Sequence, residues 1–281
     1  MFFFAFFLTS VTLPFHSCTR TITDHDTTTV TVRDTTVLTV RDTLTKVDSI
    51  YDLKDGLVAY YNFTGGNLSD SSGFSNNIVF SNATMTADRF GNANNAYLFD
   101  GSSSYMRVVT SESLNPDAIT LFAIMKVNGF SQSLCHANQV LGKGWPDYIN
   151  GFYCLRFDDF STTCVSAPNA GSEFFAGFYG DNNPQGTAAI AGKSIVTVST
   201  SKWYYLAFTY DGINAKMYVN GQLTDSVRKA VAFTDNTHDL FIGKHEDPSY
   251  PYFFNGVIDE VRIYNRALPP AAILQLNNVK E

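Results

Sequence analysis

Glutamate is scarce in this chain, with five in 281 residues, at positions 112, 173, 246, 260 and 281. None stands two residues from another acid within a strand-like segment, so the paired carboxylates that most glycosidases place across a sugar are missing. Asp259 and Glu260 are adjacent and fall on opposite faces of a strand. Asp158 and Asp159 end a strand segment and read as a solvated turn. An excess of positive charge is lacking too: 19 Lys and Arg stand against 26 Asp and Glu, for a net charge of -7. That balance argues against a general nucleic-acid surface. The four cysteines include no CxxC pair, and the five histidines (16, 25, 136, 238 and 245) show no metal-ligand spacing, which excludes a zinc site of ordinary pattern. Serine nucleophile elbows are absent, and "GKGWPDYING" (142–151) has neither phosphate-loop spacing nor a helix pattern behind it. The reading is that of a protein that is not an enzyme.

Long apolar runs are also lacking, apart from "MFFFAFFLTSVTLPFHSC" at the start. This run is too short to span a bilayer and suits the core of a signal peptide. Residues 1–18 therefore read as an export signal. Phe15, His16 and Ser17 before Cys18 resemble a loose bacterial lipobox, which would make Cys18 the site of lipid attachment and the protein a surface or outer-membrane lipoprotein; a plain secretion signal is the alternative. Cys135, Cys154 and Cys164 remain, an odd number from which one disulfide can form and leave one thiol.

Residues 27–34 (TTTVTVRD) and 35–42 (TTVLTVRD) are two copies of an eight-residue repeat, with a decaying third copy behind them. Thr and Val are stiff at χ1, and with Asp and Arg spread among them the segment has too little apolar surface for a core of its own. Residues 19–51 read as an extended stalk that reaches on the order of 100 Å. A strand hairpin or a self-associating segment is the other reading, since alternating Thr and Val suit a sheet edge.

From residue 52 to 281 the pattern is uniform. Short aromatic and β-branched runs alternate with Gly, Asn, Asp and Ser turns: 56–63, 95–101, 104–109, 119–127, 151–159, 172–180, 193–200, 203–212, 215–223, 239–245 and 254–268. Asp211-Gly212 and Asn220-Gly221 are two-residue hairpin signals, and they bracket "INAKMYV" in a three-strand meander. The one helical pattern is "LPPAAILQL" (268–276), with Pro269 or Pro270 in its first turn. Many strands and no alternating helices predict an all-β, antiparallel two-sheet jelly-roll sandwich.

Four segments in order, "GLVAYYNFTGGNLSDSSGFSNN", "RFGNANNAYLFDGSSSYMRV", "WYYLAFTYDGINAKMYVNGQ" and "NGVIDEVRIYNRAL", resemble the laminin-G-like, concanavalin-A-like jelly-roll family of bacterial surface proteins. The resemblance implies an adhesin, a lectin module or an accessory domain of a carbohydrate-active enzyme; with the acid pair missing, the reading is a non-catalytic module that binds a glycan, with a cell-surface protein partner as the alternative and a polysaccharide-active enzyme as the second alternative. The resemblance also implies a structural Ca²⁺ near the sandwich rim. Asp259 draws attention here, because the period of two puts it on one face with Val257, Val261 and Ile263, and a lone buried carboxylate is costly. Ca²⁺ held by Asp259, Asn62, Asp70 and Asp100 would answer it; so would backbone amides at a bulge. For the ligand, sugar recognition needs aromatic faces beside amides and carboxylates. Two loops supply them: Trp145, Asp147, Tyr148 and Asn150 in one, His245, Asp247, Tyr250 and Tyr252 in the other. Trp203 opens a core strand and reads as structural.

Overall fold

The structure, a computed structural model, describes residues 28–32, 36–40, 51–130, 137–144, 151–158, 174–181, 189–192 and 196–279. The chain divides into two compact units, Met1–Tyr51 and Asp52–Glu281. In the first, β1 (Thr28–Val32) and β2 (Thr36–Val40) pair antiparallel, with Val30 opposite Leu38. Over these ten residues the two copies of the repeat pair with each other as a two-stranded ribbon; the rest of 19–50 lies outside the described residues.

The second unit contains β3 (Leu57–Tyr61), β4 (Ile78–Ser81), β5 (Thr84–Thr86), β6 (Ala96–Asp100), β7 (Met106–Val108), β8 (Ile119–Val127) and β9 (Asn138–Lys143). It continues with β10 (Gly151–Asp158), β11 (Phe174–Asp181), β12 (Ala189–Ala191), β13 (Trp203–Tyr210), β14 (Asn214–Val219), β15 (Gln222–Arg228), β16 (Leu240–Ile242), β17 (Asn255–Tyr264) and the helix α1 (Pro270–Asn278). One sheet has the order β12-β11-β10-β9-β16-β7-β4; the other has β15-β14-β13-β8-β17-β6-β5, with β3 added on β17. All pairs are antiparallel, as expected for a jelly-roll sandwich.

The core lies between the sheets. Leu121, Ala123 and Met125 of β8, with Leu206 and Phe208 of β13, meet Tyr153, Leu155 and Phe157 of β10 and Phe175 of β11. Full burial of each large side chain contributes about 1.5–3 kcal/mol. Gly177 of β11 is required by this packing, since a Cβ there would stand 2.1 Å from the Phe208 ring.

The meander is β13-β14-β15, and its second turn puts Asn220 (φ +51°) and Gly221 (φ +76°) in the left-handed region that the hairpin needs. Helix α1 begins with Pro270 in its first turn and buries Ala272, Ile273 and Leu276. Strands β4, β5, β9 and β12 escaped the sequence reading because each is short or interrupted by polar residues and glycine. The expected strand at 193–200 is, among its described residues, only a bridge from Thr197 to Phe174.

Strand β17 corrects one expectation. Ile258 pairs with Met125 and Glu260 with Ile124, so Asp259 is the extra residue of a bulge. The bulge shifts the parity: Ile258, Val261 and Ile263 face the core, while Val257 does not share their cluster.

Candidate binding face

The buried acid at the bulge is answered by an arginine. Asp259, 1% exposed, accepts the Arg89 backbone N–H at 2.8 Å and binds the Arg89 guanidinium Nη1 at 2.6 Å. Arg89 in turn stacks on Phe90, with its guanidinium carbon 4.4 Å from the ring centre. A second ion pair starts at the next residue, where Arg262 Nε meets Glu260 Oε1 at 2.5 Å and the guanidinium covers Tyr60. Each pair satisfies a charge that would otherwise be stranded, and losing one partner of such a pair costs about 3–5 kcal/mol.

Asn62, Asp70 and Asp100 do not join Asp259. Asp70 accepts the N–H groups of Tyr60, Ser72 and Asn76 and the Ser72 hydroxyl. Asn62 accepts from Thr64 N, and Asp100 from the N–H groups of Ser102, Ser103 and Ser104. Burial works against the charge on Asp100, yet these hydrogen bonds and the Ser103 hydroxyl hold its carboxyl well below the usual carboxylate range. The four residues therefore do not fit a single Ca²⁺ cage: each carboxylate is spent on its own turn or on Arg89. Among the described residues no group of three or more His, Cys, Asp or Glu has the arrangement to hold a metal ion.

Trp145, Asp147, Tyr148 and Asn150 lie outside the described residues, as do Cys18, Cys135 and Cys164. Cys154 is buried. The second loop is described. His245 and Asp247 are buried, Tyr250 is 38% exposed, and Tyr252 adopts φ +43°, strained for an aromatic residue. The His245 and Tyr252 rings are 5.4 Å apart and Tyr252 and Tyr250 6.2 Å apart. Main-chain bonds fix the loop to the sheet: Gln139 N–H donates to Tyr252 O, and His245 N–H to Pro251 O.

This loop borders a feature the sequence did not reveal. Across the outer face of the seven-stranded sheet, strand pairing aligns Phe178, Cys154, Gly142, Phe241, Arg107 and Phe80 in one row. Gly142 makes a notch in it. A Cβ there would meet Gln139 Nε2 at 2.5 Å, so the missing side chain is what lets the Gln139 amide lie over the row. Gln139 Nε2 donates to Lys244 O at 3.1 Å, whereas Gln139 Oε1, on a residue 2% exposed, has no hydrogen-bond partner. Gln139, Gly144, Phe152, Cys154, Arg156 and His245 line a water-sized depression beside it.

Toward β4 the row becomes an aromatic platform. Tyr105 lies 4.8 Å from Phe80, which is 39% exposed, and 6.0 Å from Phe241. Lys244 Nζ sits 4.5 Å from the Tyr105 ring centre and 4.9 Å from that of Phe241. Burial lowers the Lys244 pKa against an upward pull from Glu246. Arg107 is paired with Asp239 at 2.9 Å, and Arg156 covers Phe178. The face thus combines the exposed Phe80 ring, the half-buried Tyr105 and cations above a buried Phe241, groups that can grip a polyhydroxylated ligand. By contrast, an open cleft of about 440 Å³ lined by Glu112, Asn115, Asp117, Asp235 and Asn265 has no aromatic wall.

A sequence profile of laminin-G type from the concanavalin A-like lectin/glucanases superfamily matches residues 100–274. The chain belongs to that superfamily. No curated protein sequence matches it. Among solved structures, domain 4 of an extracellular GH43 arabinanase from Geobacillus stearothermophilus, in complex with arabinotriose, is similar at 23% identity and a TM-score of 0.54, over 79% of this chain and 98% of that one. The binding domain of Paraclostridial mosquitocidal protein 1 is similar at 16% identity and a TM-score of 0.60, over 81% of this chain and 53% of that one. The binding domain of botulinum neurotoxin DC in complex with SialylT is 13% identical at a TM-score of 0.56, over 80% of this chain and 51% of that one. The superfamily member described here spans about half the length of the two toxin domains. At these identities the likeness is one of fold.

Proposed function

We propose that this superfamily member is an exported, non-catalytic binding module that holds carbohydrate on the outer face of the seven-stranded sheet. The observation that carries the reading is the Phe80–Tyr105–Phe241 platform, with Lys244 above it and the half-satisfied Gln139 amide beside it. Rings of this kind stack on the apolar side of a sugar, and an ammonium donates to its oxygens. The scarcity of paired carboxylates supports binding without turnover. Two of the similar folds were solved with oligosaccharides, which supports a glycan as the ligand class. Export rests on residues 1–18 and lipid anchoring on Cys18. The helices of the described residues include none long and apolar enough to cross a membrane.

A polysaccharide array tests the reading. The protein binds one or more polymers, and Tyr105→Ala or Phe80→Ala weakens binding about 3–10-fold, the worth of one aromatic contact. Trp145→Ala weakens it as well. No glycan signal, together with capture of a defined surface protein that Phe80→Ala abolishes, would replace the glycan with a protein partner. For the anchor, mass spectrometry of membrane-extracted protein finds a lipid on Cys18, and Cys18→Ala releases the protein to the soluble fraction.

A further inference from the structure

The cations on this face have unequal partners. Arg107 is neutralised by Asp239; Glu246 pulls on the Lys244 charge from a distance without forming an ion pair with it, and its Oε2 lies 2.9 Å from His238 Nδ1. Among the described residues, Lys244 makes no ion pair or hydrogen bond through its ammonium; its contacts are the faces of Tyr105 and Phe241. A ring face attracts a cation without using its N–H donors, so Lys244 is held in place with those donors still open. The chain as a whole carries a net charge of -7, so a lysine without an acid partner on an aromatic floor is a local reversal of sign. Beside it, the amide of Gln139 is clamped to Lys244 O through Nε2, which fixes the main chain that carries the lysine. The set offers an aromatic floor and a cation with unused donors.

Resting on the binding reading above, we infer that the ligand is an acidic polysaccharide and that Lys244 binds its anionic substituent, a carboxylate or sulfate ester, while the Phe80–Tyr105–Phe241 platform holds the ring. A neutral sugar would leave the Lys244 charge unanswered when the ligand displaces water from it, which disfavours neutral polymers. The anion instead forms a charge-assisted hydrogen bond with the ammonium. Because part of the attraction is between exposed charges, binding weakens with salt.

The test uses the full chain and matched polymers that differ only in charge: polygalacturonate against its methyl ester, and a sulfated galactan against its desulfated form. Affinity electrophoresis and titration calorimetry read the dissociation constants. The expected result is a preference of about 10-fold or more for one acidic polymer over its neutral mate, lost in Lys244→Gln and kept in Lys244→Arg. Which pair discriminates tells carboxylate from sulfate. Circular dichroism and melting of Lys244→Gln separate a lost contact from a lost fold. Equal binding of acidic and neutral mates, or equal binding by wild type and Lys244→Gln, overturns the inference. If neutral polymers bind and Phe80→Ala alone weakens them, the binding face stands and the anion preference falls. If no polymer binds, both fall.

Discussion

Gly142-Lys143 ends β9 and Gly243-Lys244 directly follows its paired neighbour β16, yet one lysine ends inside the sandwich and the other outside it. Lys143 is the last residue of β9, on the inward parity of Leu141, and is 1% exposed. Its three donors meet Asn115 Oδ1 at 2.7 Å, Asn236 Oδ1 at 2.5 Å and Asn236 O at 3.1 Å. Burial pulls its pKa down to about 8, against the upward influence of Glu246, Asp235 and Asp239. Lys244 would share that inward parity if β16 continued past Ile242. It does not, because Gly243 takes φ +84° and turns the chain out onto the aromatic row. A single left-handed glycine thus decides whether a lysine closes the end of the core or faces a ligand. The partners differ accordingly: amide oxygens for the buried lysine, ring faces for the outward one.

Gly243→Ala breaks this contrast most severely. A side chain at φ +84° is strained, and the new Cβ would lie 2.3 Å from the buried Phe99 ring. Strain and overpacking together cost about 3–5 kcal/mol. Urea unfolding should show that loss, and binding should fall with it because Lys244 is displaced from Tyr105 and Phe241.

Next in size is Lys143→Met, which keeps the volume and removes the donors. The three hydrogen bonds of the ammonium are then lost, at about 2–3 kcal/mol in all, although Asn236 O and Oδ1 keep the Asn115 Nδ2 and His238 N–H donors. For a domain of this size the melting temperature drops by roughly 5–10 °C. Glycan binding by the folded protein should be unchanged, since Lys143 points away from the outer face.

The pH dependence of the same pair is smaller and has a definite sign. Lys143 titrates near 8 when folded and near its ordinary value of about 10.4 when unfolded. Between those values the unfolded chain binds more protons, so stability rises with pH across this window. Wild type should therefore gain on the order of 2 kcal/mol relative to Lys143→Met between pH 8 and 10, a gain absent below pH 8. Denaturant melts of both proteins, taken as a difference, cancel the tyrosines that also titrate at high pH. A constant difference would mean that the three amide acceptors hold the lysine charged throughout.

Much of the fold was legible because its signals are local. Residues 119–127 are a nearly continuous apolar run and form β8 over that same range, and Asn220-Gly221 marks a turn that demands positive φ. Pro270 likewise announced α1. The binding face was not legible, because its row draws single residues from six strands whose order in the sheet differs from their order in the chain. The loop of His245, Asp247, Tyr250 and Tyr252 borders that face, but its sequence says nothing of Phe80 or Tyr105. A repeated cue was present in the apolar-Gly-Lys ends of both β9 and β16. Asp259 failed differently. A one-residue bulge shifts the parity of everything before it, and Arg89 lies 170 residues away, so neither the face nor the partner of that acid can be read from a period of two.

The smallest expected effect is the one that separates the two lysines most cleanly. Lys244→Met removes a cation over two rings on a partly exposed face, a contact worth about 0.5–1 kcal/mol. The methionine still covers Tyr105 and Phe241, so part of that is regained by packing. The melting temperature should move by no more than about 2–4 °C, well short of the change in Lys143→Met. If Lys244→Met instead destabilised the domain as much as Lys143→Met, the outward lysine would be a second structural clasp. A small change leaves a charge kept over an aromatic floor at almost no benefit to the fold, which is the expected signature of a residue retained for what it binds.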